Sequence, residues 1–303
     1  MKQPTRLRRC QLSVPGSSDK MMAKAAALQV DAIFLDLEDA VAPNAKEDAR
    51  GQVVAALNNL DWQARTMTVR INDVSTPYCH DDIIEIVTGA GAKLDTLMLT
   101  KTRHPHDVMF VHLMLDQLEA KLGLENRIGI ECVIEEVEGM MNVEAIAGAS
   151  DRLEALVFGM GDYSASQAMD LKDIGDGGDS YPPDIWHYPR YKMTIACHAH
   201  GLDPVDGPYA NFRDLETLGV ESQRARTLGM SGKMAIHPAQ VEPIQGVFSP
   251  AQEAVDLARH QKAAYDAALA DGEGAISVDG VMVDAASVRL LQNLIDKADM
   301  IGM

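Results

Sequence analysis

Eight short apolar runs recur along the 303-residue chain, with stretches of helical spacing between them. The runs are Cys10–Val14, Ala32–Leu35, Thr66–Val69, Thr96–Leu99, Ile128–Ile134, Leu153–Phe158, Asp203–Val205 and Gly232–Ile236. They are bounded by polar or Gly residues, the pattern of strands buried on both faces. The spacing predicts helices over Met21–Gln29, Lys46–Leu57, Asp81–Ala90, Asp107–Leu122 and Leu215–Leu228. Such a strand–helix alternation predicts an α/β fold of the (β/α)8 TIM-barrel type.

The alternation stops beyond Pro238. Ser249-Pro-Ala-Gln252 predicts a helix start, with Ser249 as N-cap, Pro250 in the first turn and Gln252 in the capping-box position. An Ala-rich helix should run to about Ala270. A hairpin over Ala275–Asp284 turning at Asp279-Gly280 follows, then a last helix over Ala285–Asp299. The expected division is a catalytic barrel over 1–248 and an extension over 249–303 that acts as a lid on a barrel mouth, its own or a neighbour's.

Charged and Gly/Pro residues collect after the strand candidates. They are Asp36-Leu-Glu-Asp39, Arg70-Ile-Asn72, Lys101, Glu135, Gly159-Met-Gly-Asp162, Asp206-Gly-Pro208 and His237-Pro238. In a barrel these positions form the catalytic face. Glu135 and Asp162, at the ends of neighbouring strands, could hold one hard cation and leave most of its coordination to water and substrate, as Mg2+ prefers. Arg70 stays charged and offers forked donors to an oxyanion. The three carboxylates of Asp36, Glu38 and Asp39 repel one another unless cations balance them, and Arg70 and Lys101 are the nearest candidates. A salt-bridge network that serves only stability is the alternative for Asp36, and a structural cap is the alternative for His237.

Other features carry less. His104/His106 and His198/His200 have spacings that do not face one another on a helix, which argues against metal binding. Asp173–Ser180 lacks the register of a calcium loop and is expected to be a flexible loop near the active face. Met21, Met22, Met140 and Met141 are expected in the core. No GxGxxG follows a strand.

A net charge of −18 disfavours nucleic acid and anionic membrane as partners, so an anionic substrate must meet locally placed Arg and Lys. Four cysteines without metal spacing, no apolar stretch of membrane-spanning length and a poor secretory signal after Arg6-Leu-Arg-Arg9 point to a cytoplasmic protein.

Taken in order, Leu35–Pro43, Val69-Arg-Ile-Asn72, Glu131–Glu135, Gly159-Met-Gly-Asp162, Pro204-Val-Asp-Gly-Pro208, Lys233–Pro238 and the tail Gly280–Ser287 resemble the citrate lyase β-subunit-like (HpcH/HpaI aldolase) superfamily, and within it the malyl-CoA lyase branch. The resemblance runs over essentially the whole chain. It implies Mg2+ (or Mn2+) on Glu135 and Asp162, and Arg70 on the thioester oxygen that becomes the enolate. It also implies backbone N–H groups near Gly161 and Asp162 on the carboxylate of a 2-oxo acid, Lys24 on a CoA phosphate, and Ile236, His237 and Pro238 lining the CoA site. Asp284 matches a tail aspartate that reaches a neighbouring subunit, which implies a homotrimer or hexamer.

The expected reaction is cleavage or formation of malyl-CoA, β-methylmalyl-CoA or citramalyl-CoA, an acyl-CoA thioester joined to glyoxylate or pyruvate. Asp284 would act as base, with Glu38 and Asp39 fixing Arg70 and the metal-bound waters. A malyl-CoA thioesterase, a free-acid aldolase and a carrier-dependent citrate lyase β-type subunit are the alternatives. Two departures from the family stand out. Ser18 occupies a position where the family often carries Arg, which would shift phosphate binding to Arg8, Arg9 or Lys20. The segment from Asp170 to Trp186 is short for a malyl-CoA lyase.

Overall fold

The computed structural model describes residues 6–171 and 184–303, so the expected Asp173–Ser180 loop lies outside the described residues. The chain divides into two compact units, Met1–Gln245 and Gly246–Met303. In the first, strands β1 (Cys10–Pro15), β2 (Ala32–Asp36), β3 (Thr66–Ile71), β4 (Thr96–Leu99), β5 (Gly129–Ile134), β6 (Leu153–Phe158), β7 (Asp203–Asp206) and β8 (Gly232–Ala235) pair in parallel in chain order. Pairing of β1 with β8 closes the barrel. Each strand lies within two residues of its expected limits.

The helices that follow the strands are α1 (Asp19–Ala26), α2 (Lys46–Asn59), α3 (Cys79–Ala90), α4 (Pro105–Leu122), the short α5 (Val137–Met141) and α6 (Val143–Ala147), α7 (Met160–Ser166), α8 (His187–His200), α9 (Leu215–Thr227) and α10 (Val241–Phe248). α1 starts earlier than expected because Ser18 is its N-cap, accepting from the Met21 N–H. That gives the serine at this position a structural reason. α8 gave no clear sequence signal, because polar residues interrupt its apolar face. It is held instead by Arg190, whose Nε donates to buried Asp206 at 2.8 Å, while Lys233 reaches the other Asp206 oxygen at 2.6 Å. The methionine pairs are split: Met22 and Met140 are buried, whereas Met21 and Met141 are exposed.

Side chains alternate along each strand, so one set fills the barrel interior in layers. A middle layer is apolar, formed by Phe34, Met98, Val133, Ala155, Val157, Val205 and Met234. A layer nearer the strand N-termini is polar. There Arg8 donates to Glu131 at 3.1 Å and Asp203 at 3.0 Å and also pairs with Glu154, while Gln11 donates to Glu131 at 2.7 Å. This corrects the expectation for Arg8: it closes the end of the barrel opposite the strand C-termini and is not available to a phosphate. Arg9 chelates Asp31 through Nε at 2.8 Å and Nη2 at 2.7 Å.

The second unit contains α11 (Gln252–Ala270), the antiparallel hairpin β9 (Ala275–Val278) and β10 (Val281–Asp284), and α12 (Ala285–Ile301). Tyr265, Val278 and Val283 form its core, with Ile276, Val288 and Leu291 against them. The turn falls at Asp279-Gly280, both with positive φ. Ala251, not Ser249, occupies the N-cap of α11, with no side-chain bond.

Arg8→Met would strand Glu131 and Asp203 without their buried cation. A stability loss of about 3–5 kcal/mol is expected, read as a lower denaturant midpoint at neutral pH.

Candidate active site

The alternation that buries Phe34, Thr68 and Val133 also brings Asp36, Arg70 and Glu135 to the inner face, two residues further along β2, β3 and just past β5. Asp36 and Arg70 are register partners. Arg70 grips the Asp36 carboxylate with Nε at 2.8 Å and Nη2 at 2.6 Å, a planar fork on a planar acceptor. Asp36 also accepts the N–H groups of Glu38 at 2.8 Å and Ala40 at 3.0 Å, which bends the loop after β2. Burial would push the Asp36 carboxyl up, but Arg70 and these donors outweigh it and hold it below the usual range. Lys46 braces the turn through the carbonyls of Leu37 at 2.8 Å and Glu38 at 2.9 Å. Asn72 adds a bond to Leu37 O at 3.1 Å.

Glu38 faces two cations. Its Oε1 takes the Lys101 ammonium, while Oε2 accepts the Asp39 N–H at 3.0 Å and stands 3.5 Å from Arg70 Nη2. Burial raises the Glu38 carboxyl against the pull of Arg70 and Lys101. Asp39 is exposed, 3.8 Å from Lys101 Nζ. Lys101 has φ 49°, and its N–H donates to Glu135 Oε1 at 2.8 Å.

Glu135 is 3% exposed and packs against Gly159, where a Cβ would come within 2.5 Å of the Glu135 Cβ and Oε2. Only glycine lets the end of β6 pass so close. Asp162 sits in the first turn of α7. Burial pushes the Glu135 carboxyl up to about 8; Arg70 and Lys101 pull it back, and the charge of Asp162 adds to the rise. Among the described residues neither Glu135 nor Asp162 forms an ion pair, unlike Asp36 and Glu38. No group of three or more His, Cys, Asp or Glu among them is placed to hold a metal. Two carboxylates that repel each other, without a protein cation of their own, fit a hard divalent ion such as Mg2+ that keeps much of its shell for water and substrate.

Gly161 shares the first turn of α7 with Asp162, where N–H groups have no partner within the helix. Past β8, Ile236 is 43% exposed, and its N–H donates at 2.9 Å to Gln240, which is buried and bonds Tyr209 O at 2.8 Å. The adjoining His237 stacks on Phe212 at 4.5 Å and accepts the Ala239 N–H at 3.2 Å, ahead of the short helical turn that begins at Pro238. Lys24 is exposed in the last turn of α1, where a cation suits the helix end. Asp284 lies in the C-terminal unit as N-cap of α12, accepting from Ser287 N at 2.8 Å and Oγ at 2.9 Å. Those bonds hold its carboxyl below the usual range.

Lys101 was visible in the sequence by its place after a strand and as a balancing charge; its bonds to both Glu38 and Glu135 were not. Phe212, in the loop after β7, gave no signal. His104 and His106 do face each other, stacked at 4.8 Å, because His104 is the extended N-cap of α4 and not part of the helix.

A closed parallel barrel with a carboxylate and guanidinium cluster at the strand C-termini is the framework of a barrel enzyme that handles an anionic substrate. The chain belongs to the HpcH/HpaI aldolase/citrate lyase family, whose profile matches residues 9–238, and it is an enzyme of the carbon–carbon lyase class. It is 39% identical to an L-malyl-CoA/β-methylmalyl-CoA lyase of Cereibacter sphaeroides over 99% of this chain and 97% of the relative. It is 34% identical to a (3S)-malyl-CoA thioesterase of the same species over 96% of this chain and 94% of that one. A citrate lyase β subunit of Mycobacterium tuberculosis, solved with oxaloacetate and magnesium, matches with a TM-score of 0.66 and 25% identity over 80% of this chain and 97% of that one.

With its folded value raised, the Glu135 carboxyl holds a proton in the metal-free folded protein that the unfolded chain gives up from about pH 4.5. Its stabilising contribution is therefore present at acid pH and lost as pH climbs to about 8. In chelator, wild type is expected to lose stability relative to Glu135→Gln by up to ~1.4 kcal/mol per pH unit through that window. Denaturation midpoints across the range check this, and parallel curves would contradict it.

Proposed function

We propose that the protein is a Mg2+-dependent lyase acting on a 3-hydroxyacyl-CoA of the malyl-, β-methylmalyl- or citramalyl-CoA type, giving glyoxylate or pyruvate and acetyl- or propionyl-CoA. The observation that carries this is Arg70: Asp36 fixes its Nε and Nη2, and Nη1 has no partner among the described residues. A clamped guanidinium with one spare N–H pair, next to Glu135, suits an oxygen that gains negative charge during reaction.

Glu135 and Asp162 would hold Mg2+ (Mn2+ in its place), which when bound supplies Lewis acidity to the oxygens of the 2-oxo acid portion. The N–H groups of Gly161 and Asp162 would receive the carboxylate of that portion. Lys24 and the Ile236-His237-Pro238 turn would contact the CoA moiety. In the condensation direction, the Asp284 carboxylate of a neighbouring subunit would take the α-proton of the acyl-CoA, and the electron pair would move to the thioester oxygen at Arg70. The α-carbon would then bond to the carbonyl carbon of the 2-oxo acid, whose oxygen would take a proton from water to become the hydroxyl. In cleavage the hydroxyl would lose its proton, that carbon–carbon bond would break, and Asp284 would return a proton to the α-carbon. The low basicity that capping gives Asp284 must rise when the tail meets substrate, through loss of the Ser287 bonds or of water. Glu38 and Asp39 would keep Arg70 and the metal-bound waters in place. A homotrimer or hexamer follows, with the extension over 249–303 as a lid. The four cysteines, all free and buried, suit a reducing cytoplasm.

Thioester hydrolysis is the second possibility, favoured by the 34% identity to a malyl-CoA thioesterase. Incubation with Mg2+, acetyl- or propionyl-CoA and glyoxylate or pyruvate, followed by mass spectrometry, decides. Hydroxyacyl-CoA formation is expected; free CoA without glyoxylate from malyl-CoA would mean hydrolysis. Asp284→Asn is expected to lower kcat by at least about 100-fold. Its Mg2+ affinity should stay near wild type, and unchanged turnover would remove Asp284 from the reaction.

A further inference from the structure

Lys101 joins the two halves of the cluster. Its φ of 49° is one that a residue with a side chain adopts at a cost and that glycine takes freely. The turn lets it reach two ways. Its N–H donates to Glu135 Oε1 at 2.8 Å, and its ammonium closes on Glu38 Oε1. The first bond needs only a peptide group. The reason for a lysine at this position is therefore in the side chain.

Glu38 lies between Lys101 and Arg70. With Oε1 taken by the ammonium and Oε2 tied to the Asp39 N–H at 3.0 Å, its approach to Arg70 Nη2 stops at 3.5 Å. That is well short of the ~2.7–2.9 Å of a charge-assisted N–H···O bond. A buried carboxylate deprived of its ammonium would take its compensation from the nearest remaining cation. Here that cation is Arg70, approached through Nη2, and a carboxylate drawn onto it would compete with a reacting oxygen for the guanidinium.

We infer that Lys101 is a positioning residue: its ammonium draws Glu38 away from Arg70 and so keeps one N–H pair of the guanidinium open to the reacting oxygen. What Arg70 meets rests on the lyase proposal; the competition between the two cations for Glu38 does not. Lys101→Gly keeps the N–H to Glu135 and suits the backbone. It is expected to bind Mn2+ within about threefold of wild type while kcat falls on the order of 100-fold, as for an impaired oxyanion donor. In a Glu38→Gln background, where no charge remains to cover Arg70, the same change is expected to cost less than about fivefold, a coupling that independent sites do not show. Equal losses in both backgrounds, no loss in either, or a Mn2+ affinity that falls in step with activity would each overturn the assignment.

Phenylglyoxal labelling of Arg70, followed on its peptide by mass spectrometry, reads the competition without turnover. Lys101→Gly is expected to slow labelling, and the double variant with Glu38→Gln to restore it. If wild type cleaves no hydroxyacyl-CoA, the lyase proposal fails while labelling still decides on Lys101: slowing and restoration uphold its role, and unchanged rates overturn it.

Discussion

The fork between Arg70 and Asp36 is the interaction on which the mouth of this barrel depends. A guanidinium at the rim of an apolar interior is tolerable only against a fixed carboxylate, and Asp36 is fixed three times over, by its strand, by two backbone N–H groups and by Arg70 itself. Because the two residues are register partners on adjacent strands, the geometry of the pair is set by the sheet and not by a loop. The other charged groups at the rim are arranged around the donors that this pair leaves over. Glu38 stands close to Arg70, Lys101 balances Glu38, and Glu135 and Asp162 form no ion pair among the described residues.

The same strands give the barrel a second charged layer with a different purpose. Arg8 pairs with Glu131, Glu154 and Asp203 at the opposite end, and Arg8 and Glu131 are wholly buried there. At the mouth, by contrast, Asp39 is exposed and Glu135 and Asp162 form no ion pair among the described residues. Charge is closed where it only stabilises and open where chemistry is proposed. Residue type alone does not distinguish the two, since both layers are made of Arg, Asp and Glu.

Much of this was legible in the sequence, because strands buried on both faces leave continuous apolar runs and parallel topology places every strand end on one side. That rule alone puts Glu135, Asp162, Arg70 and the acidic cluster at Asp36 at or just past strand ends, where the structure has them. The misses came from interactions that are not local. Arg8 follows no strand and precedes one, so its position at the opposite end was available in principle, but its three carboxylate partners come from β5, β6 and β7. Helix α8 is held by the ion pair of Arg190 with Asp206, a contact that its own periodicity does not announce. Ser18 departs from the family pattern, and its use as a helix cap became visible only once α1 was seen to start beside it. The left-handed backbone of Lys101 had no sequence signal, since lysine is not a residue that favours it.

The apolar belt of Phe34, Met98, Val133, Val157, Val205 and Met234 separates these two charged layers. It keeps the two sets of ion pairs from sharing a partner, so residues at the mouth can be exchanged without breaking the bonds that close the other end. Relatives that share this barrel yet carry different names, a lyase and a thioesterase among them, are what such a partition permits: a durable vessel whose contents are free to change.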